Sequence, residues 1–270
     1  ENYFAELEQT TDLSTAAENE KLKLGLFDLV SNVILFEESG TPGQDPVPTG
    51  FHFRISMEKT TSFRYLIPHV QEKLTNLYVN YFYRRQDDFW FKEAMHKLPQ
   101  LKAATNMLVC GEDLGMVPHC VPDVMQQLGI LSLEIQRMPK DPKKEFFHPN
   151  DAPYMSVITP STHDMSTIRG WWDSATDRER HFAGSYLACG ADDFHWAVIR
   201  ACMNSVSKLA VFPLQDVLGL PTEHRMNLPG TLGPENWSWR FEWPMVSDEH
   251  ARVLALMAHT SGRVKAAATP

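Results

Sequence analysis

The chain has 270 residues, 43% of them hydrophobic and 22% charged, which is enough apolar material for a packed core and excludes a disordered or fibrous chain. Asp and Glu number 34 against 25 Lys and Arg; the formal net charge of −9 repels phosphate backbones and anionic lipid, so neither a nucleic acid nor a membrane is expected as a partner. The 4 cysteines form no CxxC pair and are too few for a disulfide scaffold, no apolar run approaches the roughly 20 residues that span a bilayer, and the start lacks a signal-peptide layout; a cytoplasmic, reducing compartment is the expectation.

The chain opens on Glu1 rather than Met, in what reads as the middle of a helix, and is expected to be part of a longer polypeptide. Residues 1–20 carry Glu1, Glu6, Glu8, Asp12, Glu18 and Glu20 with no Lys or Arg, a solvated helix face and loop. A short apolar stretch, Leu24 to Phe36, leads into ESGTPGQDPVPTG at 38–50, whose three Pro and three Gly are loop chemistry. This sets a boundary: residues 1–50 as a helical N-terminal appendage, 51–263 as the main body and 264–270 as an unassigned tail.

From Leu66 to about Leu98, Leu74, Leu77, Tyr78, Tyr81 and Phe82 recur at helical spacing, as one long or two consecutive helices. Beyond Pro99, short apolar runs alternate with helical stretches. Strands are predicted at Met107–Cys110, Leu131–Gln136, Met155–Ile158 and Leu209–Phe212, with a helix over Val121–Leu128 closed by Gly129. Strand, helix, strand with a dozen or more residues between strands is the α/β pattern of a parallel sheet with crossover helices.

Each predicted strand runs into polar residues: Gly111-Glu112-Asp113, Gln136-Arg137, Ser161-Thr162-His163-Asp164 and Gln215-Asp216. In a (β/α)8 barrel that rim carries the chemistry, although four strands cannot close the ring. Glu112 and Asp164, on different strand ends, can converge as the paired carboxylates of glycosidic-bond chemistry, one giving a proton to the leaving oxygen while a charged one stabilises an oxocarbenium-like centre. His163 has no second His at a metal-ligand spacing, so it is read as a hydrogen-bonding group; no metal and no cofactor are expected. Trp171-Trp172 and Asn236-Trp237-Ser238-Trp239-Arg240 offer aromatic faces beside hydrogen-bonding side chains, the mixed surface that a polar neutral ring requires.

Taken together, MLVCGEDLG at 107–115, STHD at 161–164 leading to Arg169-Gly170-Trp171, QDVLG at 215–219, RMNLPGT at 225–231 and NWSWR at 236–240 resemble, in order, the 4-α-glucanotransferases of glycoside hydrolase family 77, also called amylomaltases or disproportionating enzymes. The similarity covers about 51–243 and is greatest to the plant-cytosolic and bacterial branch with an insertion in the catalytic domain. It implies strands 5 to 8 of a TIM barrel, and a retaining transfer of α-1,4-glucan segments from maltose, maltooligosaccharides or a glucan polysaccharide to the 4-hydroxyl of an acceptor. It further implies Glu112 as acid/base, Asp164 as second carboxylate, and sugar contacts from His163, Asp113, Trp171, Gln215, Asp216, Asn227 and Trp239. The family's nucleophile is an Asp in an Arg-hydrophobic-Asp-His string, and no such string occurs in these residues. The resemblance therefore implies a partner in the missing N-terminal half of the same polypeptide, and a chain inactive alone. An amylase-type α-glucan hydrolase and a non-catalytic glucan-binding module are the alternatives.

Overall fold

The computed structural model describes residues 13–38, 50–115, 117–141, 143–146 and 148–264. The acidic opening up to residue 12, the loop 39–49 and the tail from 265 lie outside them, and so do the expectations made for those stretches.

The chain divides into two compact units, Glu1–Trp90 and Phe91–Pro270. In the first, helix α1 (Leu13–Ser31) precedes an antiparallel pair, β1 (Leu35–Glu37) and β2 (Phe51–Phe53), with Leu35 opposite Phe53. The two ends of the Pro- and Gly-rich stretch thus pair with each other. Thr60 caps the short α2 (Thr61–Arg64), its hydroxyl accepting from the Phe63 amide at 3.1 Å. Helix α3 (Pro68–Asn80) begins with Pro in the first turn, where the missing N–H has no helical partner to lose. A π-helical turn at Tyr81–Arg85 and α4 (Gln86–Ala103) continue it as the consecutive helices that the spacing predicts. The periodic residues Leu74, Tyr78, Tyr81 and Phe82 pack on buried Phe53, Met57 and Phe63. Helix α4 runs through Pro99, further than expected; a proline there removes one backbone hydrogen bond without ending the helix.

The second unit is built on parallel strands β3 (Ser132–Ile135), β4 (Ser156–Thr159) and β5 (Leu209–Ala210), hydrogen-bonded in that order. The segment Val109–Gly111 joins beside β3 through a parallel bridge at Cys110 and Leu131, with the Gly111 amide donating to Leu131 O at 2.8 Å and the Leu131 amide to Val109 O at 3.0 Å. The four apolar runs therefore line up side by side in chain order, shorter than expected at the first and last. Helix α5 (Cys120–Leu128) crosses between the first two and stops at Gly129, whose φ of 62° is the left-handed position that glycine takes without strain. After β4 come α6 (Ile168–Ser174), α7 (Asp177–Leu187) and α8 (Phe194–Met203); Thr176 and Glu179 form a capping box at the start of α7. After β5 come the single turn α9 (Leu214–Val217) and α10 (Asp248–Thr260).

The core lies where Ile158 of β4 meets Ile168, Phe194, Val198 and Cys202, and continues through Ile199, Met203 and Val217 to Met257. Gly170 lets α6 approach the Thr222 turn, since a Cβ there would stand 2.8 Å from Thr222 Cα. This close approach brings the loop after β4 against the segment after α9, and these two stretches build the site. No described helix is long and apolar enough to cross a membrane.

Candidate active site

The loop between β4 and α6 carries Ser161, Thr162, His163 and Asp164. Opposite it, the segment after α9 bends back through Arg225, Met226 and Asn227. The Asn227 amide nitrogen Nδ2 donates to Asp164 Oδ1 at 2.6 Å, and its backbone N–H to His163 O at 3.1 Å. Arg225 Nη2 donates to Asp164 O at 3.0 Å, while its Nε donates to Asn227 O at 2.9 Å. Asp164 Oδ2 lies 3.2 Å from His163 Nε2. One carboxylate is thus oriented by an amide on one oxygen and an imidazole on the other, yet remains half exposed.

Trp237 covers His163, with ring centroids 5.0 Å apart. Its backbone has a φ of 62°, a strained conformation for a non-glycine residue, and is tied by its N–H to Met226 O at 2.7 Å. The cavity beneath it, of about 240 Å³, is lined by Ser161, His163, Met165, Gln215, Arg225 and Trp237 among others. That is smaller than the roughly 300–1,000 Å³ of complete small-molecule pockets. Apolar ring face and polar rim together suit a sugar ring.

His163, Asp164, Asn227 and Gln215 are brought together here. Gln215 points its Nε2 at His224 O, 3.3 Å away, and Trp239 donates its indole N–H to His224 Nδ1 at 3.0 Å. Trp239 therefore steadies the same wall from behind. Trp171 stands elsewhere: it stacks on Phe194 at 5.5 Å, meets Phe146 edge-on, and borders a second cavity of about 340 Å³ with Arg137, Glu145 and Arg178.

Glu112 is exposed just beyond the Val109–Gly111 segment, with its Oε1 accepting the Leu114 amide at 2.9 Å; it is not among the residues lining the His163 cavity. The neighbouring Asp113 turns inward. It is 5% exposed, takes the Leu133 amide at 2.9 Å on Oδ1, and takes Lys140 Nζ at 2.7 Å on Oδ2. Lys140 also holds Glu134 at 2.7 Å, so two buried carboxylates share one cation. Asp216 is fully buried. Burial pushes its carboxyl above the ordinary aspartate range, against the opposing pull of Ser161, the Ile168 amide and the Arg137 charge. The same burial holds the Arg137 guanidinium down to about 10.

Sequence reasoning selected Trp239 and passed over Trp237 and Arg225, although both stand in the quoted motifs. Among the described residues no three His, Cys, Asp or Glu converge as a metal site.

The parallel α/β sheet, with carboxylate, imidazole and indole gathered beyond its strands, has counterparts of the same fold among known structures. The amylomaltase from Streptococcus agalactiae, solved in complex with acarbose, superposes on 63% of this chain and 35% of its own with a TM-score of 0.56 at 21% identity, so the fold is of that TIM-barrel type. The sequence pattern of glycoside hydrolase family 77, described as 4-alpha-glucanotransferase, matches residues 53–246, and the chain belongs to that family. It is 37% identical over 232 residues to the 4-alpha-glucanotransferase DPE2 of Oryza sativa subsp. japonica, covering 82% of this chain and 24% of the relative. The 4-alpha-glucanotransferase of Thermus thermophilus is 35% identical over 165 residues, 58% of this chain and 33% of its own. The chain thus spans between about a quarter and a third of the length of these relatives.

Proposed function

We propose that this chain carries the acid/base and sugar-orienting part of a retaining 4-α-glucanotransferase, with 51–263 contributing the last four strands of the catalytic barrel. The observation that carries it is a cavity lined by His163, Gln215, Arg225 and Trp237, with Asp164 held beside it by His163 and Asn227, in a chain whose residues 53–246 fit the family. Glu112 acts as general acid and then as general base: it protonates the departing glycosidic oxygen, and after the glucan is held on the enzyme it takes the proton of the acceptor 4-hydroxyl. Asp164, fixed by Asn227 and His163, hydrogen-bonds sugar hydroxyls and favours the ring on which positive charge develops. Asp113 and Asp216 leave the list of sugar contacts, because their oxygens are spent inside the protein. The nucleophile is an aspartate on another part of the same polypeptide, and these residues alone do not transfer glucan. α-1,4-Glucans from maltose to polysaccharide as substrates, and a cytosolic place of work, belong to the same proposal.

Incubating the full-length polypeptide with maltotriose tests it. Glucose together with longer maltooligosaccharides, at constant total reducing ends, supports transfer. A steady rise in reducing ends without longer products makes the protein a hydrolase and refutes the reading.

A further inference from the structure

Asp216 is one residue from the cavity-lining Gln215, yet none of its surface is exposed, so it cannot touch a ligand. Its two oxygens face one loop. Oδ2 accepts the hydroxyl of Ser161, the second residue after β4, and Oδ1 accepts the amide of Ile168, the first residue of α6, at 2.7 Å. Between those anchor points lie His163 and Asp164. We infer that Asp216 is a positioning residue, whose carboxylate closes the Ser161–Ile168 loop into a fixed frame and thereby sets where His163 and Asp164 stand. The inference rests on the proposed role of Asp164.

The remaining ties of the loop fit the same reading. Thr167 Oγ1 donates to Leu220 O at 2.7 Å, so the segment following Asp216 holds the loop a second time. The Arg137 guanidinium donates to Ser166 O and its charge faces Asp216. A buried acid raised above its ordinary range by desolvation is one that the fold keeps against a stability cost, since an apolar side chain of similar volume is often as stable or more so. The bland alternative is a helix cap, because the Ile168 amide opens α6. A cap accounts for one oxygen; the Ser161 hydroxyl, which belongs to no helix, accounts for the other only if the loop itself is being held.

The test uses the full-length transferase, with kcat and KM for maltotriose and the melting temperature measured on Asp216→Ala, Ser161→Ala and Asp216→Asn. Glu112→Gln and Asp164→Asn run beside them. Displacement of a reacting geometry by about 1 Å costs on the order of 100-fold, so Asp216→Ala is expected to lower kcat by about that factor with KM moving less than about threefold. Ser161→Ala, which removes one anchor, lowers kcat by roughly tenfold. Asp216→Asn recovers to within about fivefold of the parent, because its amide still accepts from Ile168 N and can donate to Ser161 Oγ. Should Asp216→Ala not fold, Ser161→Ala and Asp216→Asn decide. Parental kcat in Ser161→Ala and in folded Asp216→Ala, beside an inactive Asp164→Asn, overturns the positioning role and leaves the site reading standing; so does an Asp216→Asn as impaired as Asp216→Ala. Parental activity in Asp164→Asn refutes the site reading and takes the positioning role down with it.

Discussion

Trp237 combines two properties that separate under mutation: a ring held over the cavity and a backbone that an L-residue adopts only at a cost. Replacing it by Ala and by Gly deletes the ring in both variants, but only Gly is at ease at a φ of 62°. The left-handed conformation costs an L-residue about 1 kcal/mol or more, so Trp237→Gly is expected to be more stable than Trp237→Ala by about 1 kcal/mol, the reverse of the usual entropic ranking. In a unit of this size that is about 2–4 °C in melting temperature. The residue is 57% exposed, which on a tryptophan of about 250 Å² leaves roughly 140 Å², most of it ring, to a ligand. A sugar face covering half of that buries about 70 Å², worth about 1.8 kcal/mol, or roughly 20-fold in affinity. Maltoheptaose titrated calorimetrically into the full-length protein and both variants should therefore show the same 20-fold loss in each, beside different melting temperatures. Unchanged affinity in both variants, or Gly melting below Ala, refutes the assignment of Trp237 as a strained sugar platform.

Three further outcomes follow from the same geometry. Glu112→Gln in the full-length protein should lower turnover by at least about 1,000-fold while maltooligosaccharide binding stays within about threefold, measured by steady-state rate and calorimetry, because proton transfer is lost and shape is kept. Lys140→Met leaves Asp113 and Glu134 buried together without their shared cation and should cost about 2 kcal/mol in urea unfolding, discounted for the partial exposure of the lysine. Burial pushes the Cys202 thiol from 9.0 up to about 12, so the folded chain keeps a proton that the unfolded chain gives up. Stability contributed by that proton is present below pH 9 and lost as pH rises towards 12, by about 4 kcal/mol over the window, and Cys202→Ala should lack that decline in a pH series of denaturant melts.

The fold of the second unit was legible because its strands are short apolar runs closed by turn chemistry, with Gly129 ending α5 and Thr176 with Glu179 opening α7. Strand lengths were not, since Met107 and Phe212 continue the apolar runs without joining the ladder, and periodicity cannot tell a hydrogen-bonded residue from its neighbour. The pairing of Leu35–Glu37 with Phe51–Phe53 was missed for a related reason: three-residue strands are too short to show alternation, and the Pro- and Gly-rich stretch between them reads equally as a linker or as a hairpin connection. Of the site, His163 and Asp164 were readable from residue type and order, whereas Asn227 came only with the family resemblance, as a sugar contact and not as the partner of Asp164. Trp237 was passed over in favour of Trp239 because the choice depends on the backbone turning into the left-handed region at Trp237, and nothing in Asn236-Trp237-Ser238 announces that.

Asp113 and Asp216, both expected as sugar contacts, are buried and hydrogen-bonded within the protein. Adjacent side chains leave the backbone in different directions, beyond the first strand at Glu112-Asp113 and in the helical turn α9 at Gln215-Asp216, so of two neighbouring polar residues one faces solvent or the cavity and the other turns inward. Glu112 faces out while Asp113 binds Leu133 and Lys140; Gln215 lines the cavity while Asp216 binds Ser161 and Ile168. A motif read as a string counts both members as contacts with the ligand. Seen as geometry, each motif contains a residue turned outward and a buried carboxylate that ties down a neighbouring segment: Asp113 accepts the Leu133 amide and Asp216 the Ile168 amide, each satisfying a backbone N–H away from water.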